Sequence, residues 1–332
     1  MSPANPEAES STGSSFSVVI VNWNSAHDLS ECLRSLERQT TAPHEIIVVD
    51  NGSHDGSAAL VRERFPTVKL IANTANLGFA PAVNQGIQRA SGEWVATLNN
   101  DTVADPRWIE RLQAAANAAP TGADEAASAL GMLQSCIVFK DRPDTLNSTG
   151  LLLFKDATAA DRGVRTPSAQ SNDWPLDIFC PTAGAAAYRR SMLEQVRLPV
   201  GVFDASFFMY YEDVDLGWRC RLAGFRARYV PDAVVYHAFQ GSSRRHGNRF
   251  VVRQCTKNRL IALARNASPE LLLRSLPKTL SELLWLAAFG GRGALREVTP
   301  RVLHAFREER AQVTALLARD RRSVERAWLA RR

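Results

Sequence analysis

Residues 45–57 read EIIVVDNGSHDGS. The aliphatic run 46–49 has no polar alternation, so it suits a short strand buried on both faces rather than one with a wet side. Asp50 closes the run. Asn51-Gly52-Ser53 and Asp55-Gly56 then form a tight turn in which glycine permits positive φ, and a helical stretch follows over 57–65. Working outward, SVVIV (17–21), VKLIA (68–72) and WVATLNN (94–100) are apolar runs of the same kind. Helical stretches lie between them at 29–39 and 79–90. Buried strands alternating with helices specify an α/β fold whose sheet is parallel and covered on both sides. Ligands of such sheets bind at the carboxyl ends of the strands. Those ends carry Asn22 and Asn24, then Asp50, Asn51 and Gly52, then Asn99, Asn100 and Asp101.

The remaining sequence divides by composition. Residues 1–15 are polar, with neither a basic nor an apolar signal region, and read as a disordered leader. The stretch 120–180 reads as Ala-, Pro- and Asp-rich loops around strands near 130–139 and 150–154. A helix is expected over 212–223, ended by Gly224 as a left-handed C-cap, and a strand pair over 225–236. Hydrophobic residues make up 45% and charged residues 22% of the 332, which supports a buried core and excludes a disordered or collagen-like chain. Cys32, Cys136, Cys180, Cys220 and Cys255 form no C-x-x-C pair and suit reduced thiols in a cytosol better than disulfides or a zinc site. The longest apolar candidate for a membrane span, 283–289, is far too short.

The formal net charge of +6 is unevenly placed. Residues 1–248 carry 22 Lys+Arg against 27 Asp+Glu, whereas residues 249–332 carry 18 against 7. With no helix-turn-helix, finger or aromatic-basic stripe, the basic balance does not point to nucleic acid. Leu and Arg recur at helical spacing in 270–289, which Pro277 interrupts, and in 303–324. Basic amphipathic helices of this kind meet an anionic membrane surface, or they pack back on the α/β domain or on a second copy in a homodimer.

Four constellations could carry chemistry. VDNGSHDGS (49–57) is either a ligand-facing turn or an ordinary capped strand-to-helix turn. No Gly-Lys-Ser/Thr follows, so it is not a phosphate loop. LNNDT (98–102) sets the carboxylate of Asp101 over the crevice, where a divalent ion on hard oxygens could neutralise a diphosphate; otherwise Asp101 caps the next helix. MYYEDVDLGWRCRLAG (209–224) gathers Glu212, Asp213 and Asp215 at a helix N-terminus. The helix dipole favours anions there, but mutual repulsion could raise one pKa toward that of a general base. His237 ends the strand AVVYH and matters only if it shares a cleft with Asp101.

Taken in order, VVIVNWNS (18–25), EIIVVDNGSHDGS (45–57), NTANLGFAPAVNQGI (73–87), GEWVATLNNDT (92–102) and FFMYYEDVDLGWRCRLAGFRARYVPDAVVYH (207–237) resemble glycosyltransferase family 2. The N-L-G-F-A stretch, the L-N-x-D-T form and the E-D-V-D helix are similar to its rhamnosyltransferase-like branch. The resemblance spans roughly residues 16–260 and leaves 261–332 as a basic helical extension. It implies the GT-A fold, a Rossmann-like, mixed, mostly parallel sheet flanked by helices. It also implies inverting transfer from a nucleotide-diphosphate sugar to the hydroxyl of a glycan or lipid-linked acceptor, in synthesis of bacterial cell-surface polysaccharide. The expected location is cytoplasmic, peripheral on the inner face of the membrane.

By matching positions, Asp213 would be the catalytic base and Glu212 would hold acceptor or sugar hydroxyls. Asp50 would contact the base or ribose, and Asn22 and Asn24 would line the nucleotide site. Asn76, Gly78 and Asn84 would lie beneath the donor, with Asn99 and Asn100 beside it. Asp101 corresponds to the last carboxylate of the family's D-x-D and His237 to a metal-ligand histidine of some members, so Mg²⁺ or Mn²⁺ is the implied cofactor. Asn99 replaces the first Asp of that motif and removes one charge from the metal site. Two alternatives stand beside this reading: a non-catalytic relative that binds nucleotide sugar, and a nucleotidyltransferase. The second would normally carry a Gly-rich basic loop after the first strand, and residues 22–25 are neither.

Overall fold

The computed structural model describes residues 13–118, 129–238, 242–291 and 293–330. The first third alternates β1 (Phe16–Asn22), α1 (Ala26–Glu37), β2 (Glu45–Asp50), α2 (Ser57–Arg64), β3 (Lys69–Ala72), α3 (Phe79–Arg89) and β4 (Trp94–Asn99). β1 lies between β2 and β4, parallel to both, and β3 extends the sheet beyond β2. The register sets Asn22 opposite Asp50 and Val21 opposite Asn99, so the polar strand ends stand in one row. Both faces of β1 are buried: Val18 and Ile20 pack into one apolar cluster and Val19 into the other. That two-sided burial is why these strands read as unbroken apolar runs.

The chain continues through β5 (Thr102–Ala104), α4 (Trp108–Asn117), β6 (Leu130–Phe139), β7 (Leu146–Ser148), β8 (Leu151–Phe154), β9 (Ala159–Asp161), β10 (Ala185–Arg189), α5 (Arg190–Gln195), α6 (Glu212–Leu222) and β11 (Arg226–His237). The sheet order is β3-β2-β1-β4-β10-β6-β11-β5, with β7 paired to β6. β10 runs antiparallel to β4 and β6, which makes the sheet mixed. The strand pair expected over 225–236 is instead the single strand β11, parallel to β6 with a register shift between Val230 and Val234. Pro231 sits in that shift, where its missing N–H costs no ladder bond. β5 pairs antiparallel with the end of β11, Thr102 opposite His237. That pairing brings Asp101 beside His237.

The C-terminal part comprises α7 (Ser242–Asn266), α8 (Pro269–Arg274), α9 (Leu276–Phe289), α10 (Ala294–His304), a π-helical turn (Ala305–Glu309), α11 (Arg310–Ala315), α12 (Arg321–Trp328) and β12 (Leu329–Ala330). Pro277 lies in the first turn of α9, where its lack of an N–H is harmless. The amphipathic segment 303–324 is helical through the π-turn to Ala315 and is interrupted at 316–320 before α12. The expected division at 260/261 falls inside α7. Leu263, Leu271, Val313 and Val324 share one buried cluster with Leu153, Phe179, Val214 and Trp218, and β12 adds a parallel strand to β8. The arginines of this part are not all a solvated face: Arg259 and Arg265 are fully buried. The leader expected over 1–15 lies outside the described residues except for 13–15. No helix among the described residues is long and apolar enough to cross a membrane.

Candidate active site

A cleft of about 700 Å³ opens over the carboxyl ends of the strands. Its floor is a lattice of asparagines. Asn22, fully buried, donates to Asp50 Oδ1 (3.1 Å) and accepts from Asn100 Nδ2 (2.7 Å). Asp50, also buried, takes the backbone N–H of Ser53 on its other oxygen (3.2 Å). Asn51 donates to Asn76 Oδ1 (2.9 Å) and to the Gly78 carbonyl (3.1 Å), and accepts from Asn73 and from the N–H of Leu77. Asn24, at φ 50°, accepts from the His54 N–H at 2.7 Å. Asn84 grips the backbone of Phe203 through both amide atoms (2.7 and 3.0 Å).

The structure therefore sorts the expected donor residues. Asn76, Gly78, Asn99 and Asn100 line the cleft. Asn22, Asn24, Asp50 and Asn84 lie outside that lining: Asn22 bonds Asp50, Ser53 and Asn100, Asp50 takes the Ser53 N–H, and Asn24 and Asn84 bond the backbone of His54 and Phe203, so they brace the floor. Asn51 of the second strand end lines the cleft as well, together with Trp23, Ser25 and Asp28, which nothing in the sequence marked as ligand contacts. Gly78 has φ +91°, and a Cβ there would meet the Phe208 ring at 2.4 Å, so only glycine lets that aromatic close the wall.

Asp101 and His237 meet as the register predicts. Asp101 Oδ1 stands 3.2 Å from His237 Nε2, with both side chains nearly buried. His237 Nδ1 lies 2.8 Å from Asn147 Oδ1, an acceptor that fixes the proton on Nδ1 and leaves the Nε2 lone pair toward Asp101. Asn99 Nδ2 lies 3.4 Å from the same Nε2. Two cis ligands of a hexacoordinate ion stand roughly 3 Å apart, so the Asp101–His237 pair has the spacing and the donor atoms for one divalent cation. Asp161, from β9, lines the same wall; burial raises its pKa, against a hydrogen bond from Ser148 and the nearby His237. The short strands carrying Asn147 and Asp161 have no periodic signal, which is why sequence reading passed over both. A separate trio, His27, Asp28 and Glu31, could also share an ion, but it is a largely exposed surface group on α1.

The opposite wall is the start of α6. Every residue of α6 is buried except Asp213, which opens onto the cleft. Its Oδ1 accepts the Val214 N–H at 2.8 Å and its Oδ2 the Ala183 N–H at 3.3 Å. Glu212 Oε2 is buried without a hydrogen-bond partner among the described residues. Burial, and then the charge of Asp213, push the Glu212 carboxyl up to about 8. Burial pushes Asp213 up to about 6, against the Ala183 and Val214 N–H bonds and with help from Asp161. Desolvation thus outweighs the helix N-terminus here.

Asp215 does not join them. It lies about 200° around the helix from Asp213, fully buried, and is held by Arg219 (3.0 Å), Arg265 (2.7 Å) and Asn266 (2.8 Å). The expected carboxylate triad is therefore a pair plus one compensated structural anion.

The loop entering α6 is strained. Phe208, Tyr210 and Tyr211 all have positive φ, between 63° and 70°, at a cost of about 1–3 kcal/mol each. Asn258 of α7 holds them: its amide nitrogen donates to the carbonyls of Phe207 (3.0 Å), Met209 (2.9 Å) and Tyr210 (2.7 Å). Lys257 Nζ adds a bond to the Ser206 carbonyl at 2.8 Å. Nothing in the local sequence announced Asn258, because its partners are some fifty residues away.

Comparison with known proteins bears on the family and the fold. A family model described as glycosyl transferase family 2 matches residues 17–197. The N-acetylglucosaminyl-diphospho-decaprenol L-rhamnosyltransferase of Mycobacterium tuberculosis (strain H37Rv) is 31% identical over 249 residues, covering 66% of this chain and 75% of that protein. Among solved structures, the mannosyltransferase PcManGT from Pyrobaculum calidifontis, in complex with GDP-Man and Mn²⁺, is similar with TM-score 0.52 and 20% identity. That match covers 96% of this chain and 88% of the other. Staphylococcus aureus TarS 1–349, in complex with UDP-GlcNAc, has TM-score 0.54 and 16% identity, covering 91% and 84%. At these identities the likeness to the solved structures is one of fold.

Proposed function

The chain belongs to glycosyltransferase family 2 and has the GT-A fold, and from that premise we propose that it transfers a sugar, rhamnose first among the candidates, with inversion. The donor would be a nucleotide-diphosphate sugar and the acceptor a hydroxyl of a glycan or lipid-linked intermediate of bacterial cell-surface polysaccharide. The observation that carries this reading is the placement of Asp213. The one unburied residue of the E-D helix faces the same cleft as the Asp101–His237 pair.

In the proposed reaction, Trp23, Asn51, Asn76, Gly78, Asn99 and Asn100 receive the donor on the floor braced by Asn22, Asn24, Asp50 and Asn84. Asp213 takes the proton of the acceptor hydroxyl as its oxygen attacks the anomeric carbon, and the nucleoside diphosphate departs in one displacement. Holding both substrates in the cleft makes the attack effectively unimolecular. Glu212, protonated at neutral pH, offers a hydrogen bond to a sugar or acceptor hydroxyl and leaves a single negative charge on the pair. Asp101 and His237 would hold a divalent cation, Mg²⁺ or Mn²⁺. Bound there, the ion would supply positive charge beside the departing diphosphate.

The M. tuberculosis relative is named for a decaprenyl-linked substrate. Carried to this chain, that supports a lipid-linked acceptor and a protein peripheral to the inner face of the membrane, which it would meet through 265–332. The test is a screen of nucleotide sugars for acceptor-dependent release of nucleoside diphosphate, beginning with dTDP-rhamnose. Release from at least one donor, abolished by Asp213→Asn with donor binding retained, is the expected result. Wild-type turnover in that variant would remove Asp213 from its role.

A further inference from the structure

Helix α9 is apolar on both sides: Leu286, with Leu283 and Trp285, packs inward against Leu260 and Val298. Its outward face carries Leu276 (46% exposed), Leu280 (58%) and Leu284 (71%), and Leu273 at the end of α8 continues the line (68%); Phe289 (58%) is exposed at the helix end, against Trp285. The leucines are spaced by three and four residues and form one stripe along the helices. Between 271 and 291 the acid is Glu282, and it points inward to the guanidinium of the buried Arg259 at 2.8 Å. Just before the stripe, Glu270 is neutralised by Arg322. Cations mark both ends of the stripe. Arg274 is exposed beside Leu273, and Arg249, also exposed, donates to the Phe289 carbonyl.

The stripe also adjoins the cleft. Phe250, next to Arg249 on α7, packs edge-on against Phe208 with ring centroids 5.9 Å apart, and Phe208 is part of the cleft wall. An apolar surface bounded by cations, free of uncompensated acids and reaching the mouth of the site is complementary to lipid: leucines for the acyl boundary, arginines for phosphates. A second copy of this chain is a poor occupant. Self-pairing of the stripe would set arginine against arginine in either orientation of the two helices. At 14 residues, α9 is too short to cross a bilayer and would lie along it.

We propose that the outward face of α8–α9 (Leu273, Leu276, Leu280 and Leu284), with Arg274 at one end and the exposed Phe289 and Arg249 at the other, docks on an anionic bilayer surface and sets the cleft mouth against it. The inference deepens the reading of a lipid-linked acceptor and rests on it for its purpose. A lipid-anchored hydroxyl could then reach Asp213 without the lipid leaving the membrane.

The test compares full-length wild type with Leu280→Glu/Leu284→Glu by co-sedimentation on phosphatidylglycerol/phosphatidylcholine vesicles and on phosphatidylcholine alone. Both positions are exposed, so the double variant should melt as wild type does. If it melts early, the milder Leu284→Ser is read instead. The expected result is pelleting of wild type with anionic vesicles, and partitioning about ten-fold weaker in the double variant at equal lipid. Equal pelleting of the two proteins overturns the proposal. So does a wild type that stays in solution and passes from dimer to monomer, by light scattering, on the same substitution. Vesicle binding needs no turnover: a protein that pellets but transfers no sugar defeats the function proposed above, whereas one that transfers sugar and pellets regardless of Leu280 and Leu284 defeats only this docking face.

Discussion

The side-chain amide of Asn258 donates to the carbonyl of Tyr210 at 2.7 Å, two residues ahead of Glu212. The same nitrogen serves Phe207 and Met209, so one buried amide holds a run of backbone in which three residues carry positive φ. Asn258→Asp should release it, because a carboxylate accepts only and would face three carbonyls. The expected outcome is a fall in kcat of about 10–100-fold with a small change in donor KM. The loop strain of about 1–3 kcal/mol per residue would no longer be held in the productive geometry. Steady-state kinetics, with binding of the donor measured apart, checks this. A variant that only melts earlier, with kcat unchanged, would make Asn258 structural alone.

The Glu212–Asp213 pair sets the pH behaviour. Both carboxyls have folded pKa values above their ordinary range, about 8 and about 6, so between roughly pH 4 and 8 the folded protein holds protons that the unfolded chain has lost. Stability is then fullest below that window and declines as pH rises through it. Glu212→Gln removes most of the penalty. Its melting temperature should exceed that of wild type, by a margin that widens from pH 5 to pH 8, while transfer falls. Activity of wild type should rise as the pair loses its first proton near pH 6 and decline near pH 8 as it loses the second. A Tm difference that shrinks with rising pH would contradict the assignment.

The legible part of this protein is the part whose burial is local in sequence. β1, β2 and β4 are apolar on both faces and end in Asn or Asp, so both their position and the edge carrying the site could be read from single runs. α6 announced itself through E-D-V-D and Gly224, which takes φ +89° after the helix as expected. What could not be read depends on partners far away. Asp215 looked like a third active carboxylate until Arg265, fifty residues on, paired with it. Asn84 and Asp50 looked like ligand contacts because they sit in the right motifs, yet their polar atoms are taken by Phe203, Asn22 and Ser53. The basic tail looked separable because its composition changes, whereas Leu263, Leu271, Val313 and Val324 are buried against α6.

The Asp101–His237 contact predicts metal dependence with a defined variant. Chelator should remove transfer activity, and Mg²⁺ or Mn²⁺ should restore it. Asp101→Asn should raise the metal concentration needed for half-maximal activity about ten-fold or more, because it leaves no carboxylate in the L-N-N-D-T turn. Asn147→Leu should act in the same direction more weakly, by freeing the His237 ring that Asn147 now orients at 2.8 Å. Full activity in chelator would reject the cation role of both ligands.

Arg265 is fully buried between Asp204 (2.5 Å), Asp215 (2.7 Å) and Glu309 (2.5 Å), and Arg301 bonds Asp204 and Glu309 from the side. These anions come from the loop before α6, from α6 itself and from the π-helical turn, so one guanidinium ties the C-terminal helices to α6. Arg265→Met keeps the volume but leaves three carboxylates short of charge. Breaking a buried pair in this way costs about 3–5 kcal/mol. Urea unfolding should show a loss of that size, and the tie predicts that kcat falls as well, even where the variant is still folded. Arg265→Lys should recover part of the stability, since the charge returns without the planar fork that reaches three partners. A variant that loses stability but keeps wild-type kcat at low temperature would confine Arg265 to holding the C-terminal helices in place.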